Sequence, residues 1–500
     1  MKFKLMLPLV ALTMLASCSK DDDHQPGKDE DPSTFAEVGS LDIGEATAAE
    51  ISAYDPSTKR LFVVNNGDAI NTIDVIDMAD PAKMTKLTSI PLTGGAVNSL
   101  SVHDKKLAAA IEALNKQEPG KVTIYNTSDY SVVKTVTVGA LPDMITYSPD
   151  GNYILTANEG EPSADYTNDP VGSVSVISVK DNYAVTNIDF ASFAGQQADL
   201  QQKGLRVFGP NASFAQDMEP EYITVSTDSK TAWVTLQENN AIAKIDLSSK
   251  TATNIFPLGF KNYNDDANAV DLSDKDGGIT FKKSPVKGMY QPDAIAVLQQ
   301  GSTPFLFTVN EGDVREYDAF KEADRIKNFA LDPAVFTDAA TLKQDAQLGR
   351  LNITKTLGDA NGDGLYEALY SFGARSFSVW NGNTGAQIYD SKNELEQKCK
   401  DAGVYDDNRS DDKGVEPEGI ALGLVGNKNI AFVGMERADA VAVYDVSNPG
   451  APVFLQLLKT GDAPEGVLFV SAKDSPTKKS LLIVSSEDDG VVKVFTPATR

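Results

Sequence analysis

Residues 415–446, VEPEGIALGLVGNKNIAFVGMERADAVAVYDV, decide the fold. Pro417-Glu418 opens a short apolar run, and Gly426-Asn427-Lys428-Asn429 makes a turn. A second run ends in Met435-Glu436-Arg437, and a third ends at Asp445. Short apolar runs separated by Gly and Asn turns read as an antiparallel meander. A single meander cannot bury both faces, so the pattern should recur along the chain.

It does recur. Glu219-Pro220-Glu221 leads to AWVTLQENNAIAKIDL, with Glu238 in the turn. Gln291-Pro292-Asp293 leads to FLFTVNEGD with Glu311, and Leu141-Pro142-Asp143 leads to YILTANEGE with Glu159. Ala463-Pro464-Glu465 leads to LLIVSSEDDGVVKVF with Glu487. Weaker copies start at Glu50 and Asn98, and one without Pro-acid covers residues 368–382. The basic period is about 45 residues, the length of a propeller blade. The expected fold is therefore all-β: a single β-propeller of seven or eight four-stranded blades with helical and loop insertions. Residues 35–43 read as a strand that completes the last blade and removes a sheet edge. The three middle intervals are longer, about 70 to 80 residues, and hold insertions within one domain over 35–500. Residues 191–217 read as helix with loop, 393–402 as a short helix, 260–290 as an acidic loop and 316–346 as helical.

The chain opens with Lys2 and Lys4 ahead of an apolar stretch too short to span a membrane, the pattern of a secretion signal over 1–18. Leu15-Ala16-Ser17-Cys18 resembles a lipobox, which makes Cys18 the lipidation site and the membrane the first partner. The acidic run after it resembles the signal that sends bacterial lipoproteins to the outer face of the outer membrane, with the periplasmic face as the alternative. Residues 19–34 are polar, with Pro26 and Pro32, and read as a flexible acidic tether.

Charge and composition remove whole classes of function. The 500 residues carry a formal net charge of −26, the opposite of a nucleic-acid surface. Only His24 and His103 are present, so Ser-His-Asp catalysis and His-ligated zinc have no residues to use. No nucleotide, haem or zinc is expected, and a monomer is.

Strands one and two of a blade meet at one face of the ring, so both sets of acids should converge there. Asp143 with Glu159, Glu221 with Glu238, Asp293 with Glu311, Glu418 with Glu436 and Glu465 with Glu487 would line an acidic funnel. The long loops add Glu161, Asp165 and Asp412, and Arg375 is one cation that would pair with them. Crowded carboxylates repel each other and call for a cation. The alternative is that each acid caps its own blade. Separately, Asp359-Ala360-Asn361-Gly362-Asp363-Gly364 has oxygen donors at alternate positions and Gly at the turn, as in a calcium loop. Tyr370 stands where the last ligand of that loop would be, and Glu367 would substitute, giving Asp359, Asn361, Asp363 and Glu367 as Ca²⁺ ligands. The competing reading is a plain Gly/Asn/Asp hairpin turn.

The stretches ANEGEPSADY, LGDANGDGLYEALYSFGARSFSVWN, RSDDKGVEPEGIALG and APEGVLFVSAKDSP together resemble the choice-of-anchor I domain family. The resemblance covers nearly everything after the tether. It implies an extracellular propeller with variable membrane attachment, here through Cys18, and no established reaction. The favoured expectation is a surface-anchored, calcium-stabilised propeller that binds a small molecule, glycan, mineral ion or protein at its acidic mouth. The alternative is a metal-dependent phosphoesterase resembling propeller phytases or alkaline phosphatase. In it Glu159, Glu221, Asp293, Glu311 and Glu418 would hold metals and Arg375 would clamp phosphate.

Overall fold

The computed structural model describes residues 26–67, 71–92 and 94–500. Seven sheets of four antiparallel strands follow one another along the chain. Their first strands are Ser52–Asp55, Val97–His103, Pro142–Tyr147, Pro220–Val225, Ile295–Gln300, Pro417–Val425 and Pro464–Val470. Each first strand packs on that of the next blade, and the seventh packs on the first, so the blades close a ring. We number the blades 1 to 7 in this order.

Burial explains the sequence pattern of each blade. The second and third strands lie between neighbouring blades and are covered on both faces, so they read as unbroken apolar runs. Leu61–Val64 and Leu107–Ile111 are entirely buried. Outermost strands face solvent on one side and alternate, as Val132–Ala140 does. Aromatic rings fill the gaps between blades: Phe432 of blade 6 stacks on Phe469 of blade 7 at 5.7 Å. The hairpins far from the funnel are also built from sequence. Ser148 Oγ donates to Asp150 at 2.7 Å and Ser226 Oγ to Asp228 at 2.7 Å, in the same turn of blades 3 and 4.

Blade 7 is completed from the other end of the chain, as the pattern at residues 35–43 predicts. Ala36–Asp42 pairs antiparallel with Val491–Thr496 as its outer strand. Residues 26–34 are not a free tether, however. Glu30 bridges to Thr499, and its buried carboxylate accepts from the Ser480 backbone N–H at 2.8 Å and hydroxyl at 2.7 Å. The Asp31 N–H donates to Ala498 at 3.0 Å. A polar composition predicts solvation, but two open hydrogen-bonding edges outweigh it here. Residues 1–18 with Cys18, and 19–25, lie outside the described residues.

The unit at 368–382 is not a blade of its own. Phe377–Asn381 is the third strand of blade 5, paired with Thr303–Val309. The chain between these strands leaves the blade and joins residues 258–292 in a separate five-stranded sheet. That sheet comprises Phe260–Asn262, Lys287–Met289, Tyr370–Ser371, Asn352–Thr354 and Ala323–Arg325. It has its own core around Tyr263, Leu272, Phe329, Leu351 and Ile353. Residues 316–346 are mostly irregular, with helical turns only at Ile326–Asn328 and Ala339–Leu342. The apolar residues there cover the small sheet instead of forming one helical face. Glu394–Ala402 is helical, as its sequence predicts, and so are Ala191–Gln196 and Gln197–Gln202.

Candidate functional site

A local device repeated in the blades turns each Pro-acid toward the axis. The residue before the proline adopts left-handed backbone at Leu141 (φ 48°), Gln291 (41°), Glu416 (49°) and Ala463 (55°). The ladder then slips register just after the proline in blades 3, 4, 6 and 7. A bulge of this kind bends the strand and re-aims one side chain. The re-aimed side chain is the acid.

The result is an axial cavity of about 300 Å³. Asp143, Glu221, Glu418 and Glu465 line it from the first strands and Asp293 from just before one, with Asn98 in the blade 2 position. Glu311 and Glu436 line it from the ends of second strands. Glu159 and Glu238 stand against Glu221, with one carboxylate oxygen of each of the three within 4.8 Å of the others. Asp293, Glu311 and Glu418 form a second such group, and Glu311, Glu416 and Glu436 a third.

Few cations answer these charges. The Lys413 ammonium reaches Glu311 and lies 3.2 Å from Glu416, while Arg437 lies 2.7 Å from Glu436. Burial pushes the Glu311 carboxyl up, but Lys413 and a 2.9 Å hydrogen bond from Gln237 outweigh it and hold it below its usual range. Elsewhere burial and mutual repulsion win. Burial, then Glu159 and Asp143, hold Glu221 well above the usual carboxylate range. Burial, then Glu311 and Glu436, do the same to Glu418, and burial, then Glu487 and Glu50, to Glu465. Asp143 is pushed to about 6 by burial and Glu161, and Glu436 to about 7 by burial and Glu416. Glu221, Glu238, Glu418 and Glu465 each keep one buried oxygen without a hydrogen-bond partner. The repeated acids are therefore not fully used as blade caps.

Other residues assigned to the funnel lie elsewhere. Arg375 is fully buried beneath the small sheet and donates to the carbonyls of Asp271 (2.6 Å), Ser410 (2.9 Å) and Asp412 (2.9 Å), with Glu396 at 3.3 Å. It cannot clamp a phosphate in the funnel. The Asp412 side chain accepts from Asn352 at 3.1 Å and pairs with Arg409 at 3.1 Å. Asp165 is exposed and caps its own turn, accepting from Ser163 Oγ at 2.7 Å and Thr167 Oγ1 at 2.8 Å. Glu161 stays near Asp143 and lies 3.9 Å from Lys116, and Glu487 sits half-buried behind Glu465.

Lys413, Glu416 and Asp313 also line the cavity. Glu416 and Asp313 each lie two residues from an assigned acid, a spacing that points to the same mouth. Lys413 ends the polar stretch 406–413, which the sequence places at the funnel, and is delivered there by an irregular loop pinned through Arg375.

The turn at residues 359–367 brings the carboxylates of Asp359, Asp363 and Glu367 within 4.8 Å of one another. Asp359 accepts from the N–H groups of Gly362 (2.8 Å) and Gly364 (2.9 Å), and Glu367 Oε1 accepts from Asn361 Nδ2 at 2.7 Å. This is the wrapped geometry of a cation loop, and it is equally a self-capped turn.

Fold and site together define a seven-bladed propeller with an acidic axial mouth. Residues 50–449 match the model of the choice-of-anchor I domain, and the chain belongs to that family. It is 29% identical over 189 residues to Gigasin-3a of Magallana gigas, covering 31% of this chain and 66% of that protein. It is 25% identical over 350 residues to the mesenchyme-specific cell surface glycoprotein of Strongylocentrotus purpuratus, covering 58% of this chain and 44% of that one. The chain thus spans less than two thirds of the length of either relative. Among solved structures, the Cps50 (Swd1) β-propeller domain of Myceliophteria thermophila covers 93% of this chain and all of its own length, at 8% identity and a TM-score of 0.48. Hydrazine synthase of Kuenenia stuttgartiensis covers 92% of this chain and 98% of its own, at 12% identity and a TM-score of 0.48.

Proposed function

We propose that the chain is a cell-surface propeller, held by a lipid on Cys18 and stabilised by Ca²⁺, whose acidic mouth binds a ligand that carries positive charge or brings a cation with it. The observation that carries this reading is the convergence of nine carboxylates on one axial cavity whose lining, among the described residues, holds two cations, Lys413 and Arg437. A surface location accords with the name of the Strongylocentrotus purpuratus relative and with the choice-of-anchor family. No helix among the described residues is long and apolar enough to cross a membrane, so attachment would fall to the lipid. Ca²⁺ at Asp359, Asn361, Asp363 and Glu367 would replace self-capping by an ion at the tip of the inserted sheet. The phosphoesterase alternative loses its phosphate clamp with the burial of Arg375.

Two measurements test the proposal on the full-length protein. A poly-lysine peptide and a chitosan oligomer should bind in low salt, and Glu418→Gln with Glu465→Gln should weaken both by about tenfold. Equal binding by the double variant would place the ligand elsewhere. Ca²⁺ added after chelation should raise the melting temperature, and Asp363→Ala should remove at least part of that rise. An undiminished rise would exclude the turn as a calcium site.

A further inference from the structure

Three groups of three carboxylates flank the axial cavity, two of them sharing Glu311, and they are not equivalent. At blades 5 and 6, Asp293, Glu311 and Glu418 receive the Lys413 ammonium on Glu311, so the protein supplies its own cation. At the corner of blades 3 and 4, Glu159, Glu221 and Glu238 form no ion pair among the described residues. The nearest guanidinium, Arg315, is committed to Asp217 at 2.6 Å and Glu219 at 2.9 Å. Lys116 is drawn to Glu161.

The corner is also built to hold its acids in place. Glu238 is 3% exposed, and its Oε2 is buried with no hydrogen-bond partner, as is Oε2 of Glu221. Its backbone is pinned: the Glu238 carbonyl accepts from Arg206 at 2.9 Å. The adjacent Asn239 donates to the Asp217 carbonyl at 2.6 Å and accepts from the Glu219 N–H at 3.0 Å. The Glu159 N–H donates to the Leu141 carbonyl at 2.9 Å. The backbone that carries Glu238 is therefore fixed at the corner. Leaving a carboxylate buried and unpaired is costly, and a hard cation is the partner that three oxygens accept. Three oxygens within 4.8 Å of one another lie no more than about 2.8 Å from a common centre, so small side-chain shifts bring them to the Ca²⁺–oxygen distance of about 2.4 Å.

We propose that the corner between blades 3 and 4 is a divalent-cation site in which Glu159, Glu221 and Glu238 bind one Ca²⁺. Asp143 and Glu161 add negative charge around it. The site deepens the reading of the mouth as a ligand-binding face, on which it rests, by giving that mouth a fixed metal beside the fixed ammonium of Lys413. A ligand with an anionic group and a cationic group would then find a partner for each.

Calorimetric titration with Ca²⁺ of the full-length, chelator-stripped protein tests this, together with Tb³⁺ luminescence excited through tyrosine. Tyr222, next to Glu221, lines the cavity and would sensitise an ion at the corner. In an Asp363→Ala background, which removes the turn on the inserted sheet, one equivalent of Ca²⁺ should remain. Glu238→Gln and, separately, Glu159→Gln should weaken that equivalent by at least about tenfold, while Glu465→Gln across the ring leaves it intact. Near-ultraviolet circular dichroism of each Gln variant should match the parent. No Ca²⁺ bound in the Asp363→Ala protein, or unchanged affinity in both folded Gln variants, overturns the site. If that happens while poly-lysine still binds in a Glu418- and Glu465-dependent manner, only the metal assignment falls. If poly-lysine binding is absent too, the reading of the mouth falls with it.

Discussion

Arg375 shows how one residue changes meaning between sequence and structure. In sequence it is an arginine flanked by small residues near the funnel motifs, a natural anion clamp. In the fold it is a buried tie that gathers carbonyls from Asp271, Ser410 and Asp412 around one guanidinium. Removing it would strand Glu396, whose carboxyl burial already pushes up to about 7 despite that arginine. Arg375→Ala should therefore lower stability by about 3–5 kcal/mol, and Arg375→Lys should recover little because a lysine cannot reach all four acceptors. A denaturant titration measures this, and a small loss would mean the loop around Lys413 is held by other contacts. The acids at 143, 221, 293, 418 and 465 were legible because each repeats beside the same proline. The stretch that ends in Lys413 was legible as part of the mouth, but the pairing of its ammonium with Glu311 was not, since that depends on a loop held by contacts more than thirty residues away in sequence, such as Arg375.

At the scale of the blade, neighbouring first strands leave almost no room between them beside the cavity. A β-carbon on Gly466 would lie 2.3 Å from the Glu50 carbonyl oxygen of blade 1, and one on Gly419 would lie 2.4 Å from the Glu465 carbonyl of blade 7. These glycines follow the ring acids directly, so the tight approach and the acid's direction are set together. Gly466→Ala should lower stability by about 1–3 kcal/mol and disturb the cavity, visible as a weaker response to poly-lysine. An alanine accepted without a change in melting temperature would show that the blades can part there. The blades themselves were readable from their apolar runs and turns. The false eighth unit arose because an insertion splits blade 5 between its second and third strands, and strand chemistry carries no mark of which sheet a strand joins. The expected helix over 316–346 failed for a related reason: its apolar residues cover a small sheet from several directions.

For the molecule as a whole, the crowded mouth makes stability depend on pH. Glu50 is raised to about 8 by burial and by Glu487, and Asp143 and Asp313 to about 6 by burial and neighbouring acids. A carboxyl with a raised folded pKa holds its proton longer in the folded state than in the unfolded one. The folded state therefore binds more protons between about pH 4.5 and 8, and stability falls as pH rises through that window. Acids held low by hydrogen bonds, such as Asp31 at about 2, act only below it. In a chelator the melting temperature should drop by about 5 °C or more from pH 5.5 to 8.5, and Ca²⁺ should remove much of the drop. A flat profile would mean that the acids are neutralised by other means.

The pairing of Ala36–Asp42 with Val491–Thr496 also has a temporal side. A strand laid down early must remain unmatched while more than four hundred residues are added, and the circle cannot be shut before then. Such a clasp makes the final step of assembly all-or-none and slow, because a very long loop closes with it. Until it shuts, an exposed strand edge invites neighbouring chains, so crowded refolding should yield dimers that have exchanged this strand.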